Sequence, residues 1–258
     1  MATPTDSEPW VRAVRASHDK LSGIVAGLDA DGLRQRSYAK EWSIAEVLSH
    51  LGSGAEIFLL SLNAGLAGAE PPTSQDFGPI WAAWNARTPR EQAARCTVAN
   101  EALVSKAESL TAAERAAFSV VMFGRLPVDL AGLLGMRLSE HAVHAWDVAV
   151  VPDPAARVEH DAVDLMIDGL SMIIGFTAKK AAEPAVIAVT TTNPDRTFTL
   201  DTGGVSLAPG DPQDAAQASM VLPAEAFVRL VYGRVDDDAE LTAAGVTLPE
   251  LQAIFPGF

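Results

Sequence analysis

Apolar positions recur at helical spacing along most of the chain up to about residue 182. In residues 8–29 they are Val11, Val14, Leu21, Ile24, Val25 and Leu28, one stripe of a 3.6-residue period. "WSIAEVLSHL" opens a second helix. Ser43 is its N-cap, Glu46 three residues on completes a capping box, and Trp42 is placed to staple onto Val47. Ile44, Val47, Leu48, Leu51, Ala55, Phe58, Leu59 and Leu62 continue that stripe, and "AGLAGAEPPTSQ" ends it in a loop. A third helix is predicted from about Phe77 to Leu110, kinked or broken at Pro89. "FGRLPVDLAGLLGMRLSEHAVHAWDVAV" reads as a fourth, with Pro127 in its first turn and "VPDPAARV" as its stop. A fifth follows from about His160 to Lys180. Four long helices with short connections predict an antiparallel bundle.

After Glu183 the period changes from helix to strand. "PAVIAVTTT" and "RTFTLDTGGVSL" are β-branched and flank "NPD", a hairpin pattern, and "QASMVL" reads as a third strand. "PAEAFVRLVYGR" and "TLPELQAIF" read as short helices. The expectation is an α plus small α+β protein, with a helical bundle over residues 1–158 and a helix plus α+β unit over 159–258.

Composition narrows the partners. Hydrophobic residues make up 48% of the 258, enough for a packed core. A net charge of −14 argues against nucleic acid, which needs clustered Lys and Arg. No apolar run approaches the roughly 20 residues of a membrane span, and "MATPTDSEPW" lacks the layout of a signal peptide, so the chain reads as cytoplasmic. The single cysteine, Cys96, sits in a helical pattern with no activating neighbour and reads as a small buried hydrophobe. His18 and His160 read as surface residues. Trp81 and Trp84 read as core or interface, and the acids at 236–238 as a solvated turn.

The chemistry concentrates in "MRLSEHAVHAWD". Glu140 and His144 are i and i+4, so their side chains lie one above the other on one flank of the apolar face. Arg137 is one turn earlier and Asp147 one turn later. His50 lies at the edge of the second helix's apolar stripe. A carboxylate and an imidazole on one helix with an imidazole from another make a donor set for Zn²⁺, Fe²⁺, Ni²⁺ or Mn²⁺, with a position left open. Asp147 is placed to orient the His144 ring and Arg137 to hold a carboxylate. Spacing alone serves other readings equally: Glu140 and His144 as a solvated ion pair, or His141 as the ligand in place of Glu140.

"EWSIAEVLSHL" followed by "RLSEHAVHAWDVA" resembles the DinB-like bundles, in particular the mycothiol-dependent maleylpyruvate isomerase family. The resemblance implies that His50, Glu140 and His144 hold a divalent metal, usually zinc, and that His141 does not. It implies a sterol-carrier-like second domain in which "VYGR" places Arg234 at an active-site position, with Arg229 as competitor. It also implies mycothiol, the actinobacterial thiol, as cosubstrate of a small electrophile. The metal-bound thiolate would then drive isomerisation or S-transfer in a monomer or homodimer. Two alternatives keep the fold and change the chemistry: a hydrolase using metal-bound hydroxide, and a non-enzymatic binder of hydrophobic ligands.

Overall fold

A computed structural model describes residues 6–39, 41–235 and 240–257. Its contacts divide into two compact units, with the boundary between Ala162 and Val163. The acidic run at 236–238 lies outside the described residues.

The first unit begins with α1 (Glu8–Ala26), which buries Val11, Val14 and Leu21 of the expected stripe. Helix α2 (Ile44–Ala67) starts at the Ser43–Glu46 capping box, both halves of which are formed. The stretch expected to be kinked or broken at Pro89 is broken there, into α3 (Ser74–Asn85) and α4 (Pro89–Glu108). Thr88 caps α4 with Glu91 in a second capping box, and Pro89 takes the first helical position, where its missing N–H costs nothing. A short α5 (Ala112–Ala117) follows.

The start of the fourth long helix differs from expectation. Residues around Pro127 form a hairpin, β1 (Val120–Met122) with β2 (Leu126–Val128), and Pro127 sits in a strand. Phe123 and Gly124, both at positive φ, make its turn. Helix α6 (Leu130–Ala149) begins only at Asp129, whose side chain accepts from the Gly132 N–H at 2.8 Å. The apolar run that suggested an earlier start is a strand paired to its neighbour.

Helices α1, α2, α4 and α6 form the bundle, with α1 against α6 and α4, and α2 against α4 and α6. His50 of α2 meets Glu140 while Gly54 sits against Arg137, so α2 and α6 run in opposite directions. Arg15 and His18 reach Glu108 and Glu101, so α1 and α4 do likewise. Trp10 beside Gly135 and Ser17 beside His141 set α1 and α6 in the same direction. The helix α3 carries the chain back so that α4 runs with α2. Leu48, Leu51, Leu62, Leu133, Leu134 and Leu138 are at most 1% exposed and fill the centre. Trp84 is fully buried against Gly52, whose missing Cβ leaves room for the indole. Trp81, by contrast, is 46% exposed. Among the described residues no helix is long and apolar enough to cross a membrane.

The fifth helical pattern is interrupted: α7 (His160–Met166), a 3₁₀ turn, then α8 (Leu170–Thr177), which stops short of Lys180. Among the described residues the second unit then has five strands: β3 (Val186–Thr192), β4 (Arg196–Asp201), β5 (Ser206–Pro209), β6 (Ala218–Pro223) and, after α9 (Ala224–Val231), β7 (Thr242–Ala244). The sheet order is β5-β4-β3-β6-β7; β3 and β6 are parallel and the other pairs antiparallel. Ile187, Val189, Phe198, Leu200, Met220 and Leu222 face one buried side, the period-2 pattern of a sheet covered on one face. Helix α10 (Leu248–Ile254) ends the unit. The segment "RTFTLDTGGVSL" thus holds all of β4 and the start of β5, and β7 lies beyond the three segments read from sequence.

Candidate metal centre

Two sequence features bring the site together. The capping box starts α2 at a fixed residue, so His50 falls nearly two turns in, on the edge of the buried face. Asp129 fixes the phase of α6, whose buried side carries Arg137, His141 and His144, with Glu140 half-exposed at its flank. A turn before α2 is fastened to α6, because Tyr38 N–H donates to the Asp147 carbonyl at 3.1 Å and the Tyr38 ring meets Trp146 edge-on at 4.7 Å.

The result is a convergent triad. His50 Nε2 lies 3.0 Å from Glu140 Oε2, and His144 Nε2 lies 4.0 Å from the same oxygen. One donor atom from each residue falls within 4.8 Å of the other two. The imidazole centroids are 4.8 Å apart, nearly perpendicular. His144 Nδ1 is 2.8 Å from Asp147 Oδ2, and Asp147 is fully buried. A carboxylate there takes the Nδ1–H and leaves the lone pair on Nε2, the atom that faces Glu140. The His50 and Glu140 side chains are 35% and 41% exposed, so the triad opens to solvent. Burial by itself would raise the Glu140 carboxyl. The hydrogen bond with His50 and the charges of His144, His50 and Arg137 outweigh it and bring the carboxyl down to about 2, so it is an anion at any physiological pH. Two imidazole nitrogens, one carboxylate oxygen and an open side fit a first-row divalent cation.

The other expected residues are placed as follows. Arg137 is 1% exposed, and its Nη2 donates to the Leu51 carbonyl at 2.8 Å and to Asn100 Oδ1 at 2.5 Å. It thereby ties α6 to α2 and α4 one turn from Glu140. Burial pulls its guanidinium down to about 10, which still leaves it charged. His141 points to α1, where its Nδ1 is 2.7 Å from Ser17 Oγ. It is fully buried, and burial, then the neighbouring charges, push it well below the ordinary imidazole value. Arg234 belongs to the second unit, where it is buried and its Nη1 donates to the Tyr232 carbonyl at 2.5 Å. Arg229, its competitor, pairs with Glu225 at 2.8 Å. Cys96 is buried, and burial pushes its thiol up to about 12.

His18 is a correction. It is 3% exposed, with Nε2 at 3.1 Å from Glu101 Oε2, because the α1 face read as polar packs on α4. His18, Asp19 and Glu101 also place donor atoms close together. Arg15, however, already donates to both Glu101 oxygens and to Glu108, so that carboxylate is neutralised by a guanidinium. The residue that sequence reasoning missed is Trp42. Its ring lies 5.2 Å from the His50 ring and 5.9 Å from the His144 ring, centroid to centroid. The available signal was its place immediately before the cap of the helix that carries His50.

The sequence profile of the mycothiol maleylpyruvate isomerase N-terminal domain matches residues 14–149, more than half of the chain. The chain belongs to this family. The matched region of this mycothiol maleylpyruvate isomerase family member contains all three triad residues and stops before the second unit. Two solved structures extend the likeness over both units. They are the mycothiol-dependent maleylpyruvate isomerase and a histidine-to-alanine mutant of it. Each aligns with a TM-score of 0.70 over 95% of this chain and 96% of the other, at 14% and 13% identity respectively. At that identity the likeness establishes the fold, a helical bundle followed by a small α+β unit. Comparison with curated proteins finds no match.

Proposed function

We propose that the chain is a thiol-dependent enzyme of the isomerase type, using mycothiol as cosubstrate and a divalent cation, zinc by preference, held by His50, Glu140 and His144. The observation that carries the proposal is the convergence of those three side chains from two separate helices on one half-open point. When bound, such a cation supplies an open coordination position that lowers the pKa of a thiol, so that thiolate is available near neutral pH.

The chain's own residues supply the rest. Glu140 brings a negative charge that is permanent at working pH. Asp147 holds the His144 ring in one tautomer and one orientation. Arg137 fixes the distance between the two helices that carry the donors. Its expected hold on a substrate carboxylate would have to come from nitrogens other than Nη2, which is already engaged. The role of Arg234 rests on the family pattern. The nucleophile comes from the cosubstrate, in keeping with a Cys96 thiol held protonated in the core. Attack on an activated double bond forms a carbon–sulfur bond. Rotation about the former double bond and cleavage of the same carbon–sulfur bond return the thiol and the isomerised product. A substrate whose adduct is stable would leave as the S-conjugate.

The test is turnover of maleylpyruvate and of simpler activated alkenes, with and without added mycothiol. The proposal expects turnover only with thiol. Turnover at the same rate without thiol would place hydroxide chemistry at this site and overturn the thiol-dependent reading.

A further inference from the structure

Trp42 holds none of the donor positions, yet its indole lies beside two of them. The Trp42, His50 and His144 ring centroids form a triangle with sides of 4.8, 5.2 and 5.9 Å. Both imidazoles of the triad therefore lie within 6 Å of the indole, centroid to centroid. The backbone of Trp42 is hydrogen-bonded on both sides. Trp42 N–H donates to the Ala39 carbonyl at 2.7 Å, and its own carbonyl accepts from Ser37 N–H at 3.0 Å and Ser37 Oγ at 2.9 Å. Ile44 N–H closes the turn onto the Gln35 carbonyl at 2.9 Å. The same turn is bonded through Tyr38 to Asp147, the residue that orients His144. Indole and imidazole are thus fixed to one another through α6.

We propose that Trp42 is a specificity-determining wall of the site, favouring a thiol sulfur over an oxygen ligand beside the His50–His144 pair. The inference rests on the thiol-dependent reading above. Sulfur is polarizable and gains from an aromatic ring at about 5 Å, often at the ring edge. A hydrated oxyanion brought against the same apolar surface loses water without an equivalent return. A wall of this kind separates thiol chemistry from hydrolysis on one and the same donor set, and it accounts for an aromatic residue beside both imidazoles.

The experiment uses the full chain loaded with Co²⁺, as wild type, Trp42→Phe, Trp42→Ala and Trp42→Leu. Cobalt content is read by elemental analysis. Affinities for 2-mercaptoethanol and for acetate are read from the cobalt absorption spectrum, where bound sulfur adds a near-ultraviolet charge-transfer band. The expected result is a thiol-to-acetate affinity ratio about three- to tenfold lower in Trp42→Ala and Trp42→Leu, and within about twofold of wild type in Trp42→Phe. Trp42→Leu keeps apolar bulk without the ring and carries the comparison if Trp42→Ala does not fold or load. An unchanged ratio in the variant that loads overturns the inference and leaves Trp42 a packing residue. A wild-type chain that takes up no cobalt overturns the cation reading itself, and this inference with it.

Discussion

His144→Ala, Glu140→Ala and His50→Ala are each expected to weaken divalent-cation binding by roughly 100-fold or more, while His141→Ala binds as wild type. The first three each remove one donor of the triad, and among the described residues no fourth His, Cys, Asp or Glu joins that cluster to substitute. Glu140 matters twice, since its oxygen is the point on which both imidazole Nε2 atoms converge. His141 is the internal control. It is on the same helix, three residues from His144, and of the same chemistry, but it is turned toward Ser17 on α1. Its loss is expected to cost about 1–3 kcal/mol of fold stability, from a cavity and an orphaned Ser17 hydroxyl, with cation content unchanged. Elemental analysis after dialysis against trace Zn²⁺ checks the binding, and urea unfolding checks the stability. Loss of cation in His141→Ala with retention in Glu140→Ala would mean that the wrong flank of α6 holds the ion.

Asp147→Ala is the next largest effect, an expected 10- to 100-fold loss of cation affinity without loss of any ligand. Asp147 reaches the cation site through His144, at 2.8 Å from its Nδ1. Without that acceptor the imidazole is free to carry its proton on Nε2, the nitrogen that must stay unprotonated to bind an ion. The ring also loses the contact that aims it at Glu140. The backbone bond from Tyr38 to the Asp147 carbonyl survives the substitution, so the turn over the site stays attached. Competition against a chelator of known affinity measures the change. An affinity equal to wild type would show that packing alone, including the neighbouring Trp42, orients the ring.

The start of α2 was legible in the sequence because a cap marked it, while the equally well-formed caps at Thr88 and Asp129 were overridden by the long apolar pattern around them. Ser43 and Glu46 fix the start of α2, and with it the phase of His50. Spacing placed Glu140 and His144 on one flank of α6, but it left two questions that only packing answers. The first was whether Glu140 or His141 faces His50. Both lie within reach of His144, and the choice depends on which side of α6 meets α2 and which meets α1. The second was the burial of His18, whose neighbours Ser17 and Asp19 look solvated in sequence; in the fold His18 meets Glu101 of α4 and Ser17 meets His141 of α6, while Asp19 stays exposed. Pro127 misled for a related reason: a proline suits a helix start and an edge strand equally, and the pairing of β1 with β2 decides it. The small strand β7 is too short and too exposed to leave a periodic trace. The position of Trp42 beside both imidazoles depends on hydrogen bonds from Ser37 to Trp42 and from Ile44 to Gln35, which no one-dimensional pattern describes.

X-ray absorption at the zinc edge of the Zn²⁺-loaded chain tests the central claim most directly. The account predicts two imidazole nitrogens at about 2.0–2.1 Å and one carboxylate oxygen at about 2.0–2.2 Å, with the imidazole signal halved and affinity lost in His50→Ala. A spectrum without imidazole scattering, or one that His50→Ala leaves unaltered, would contradict it.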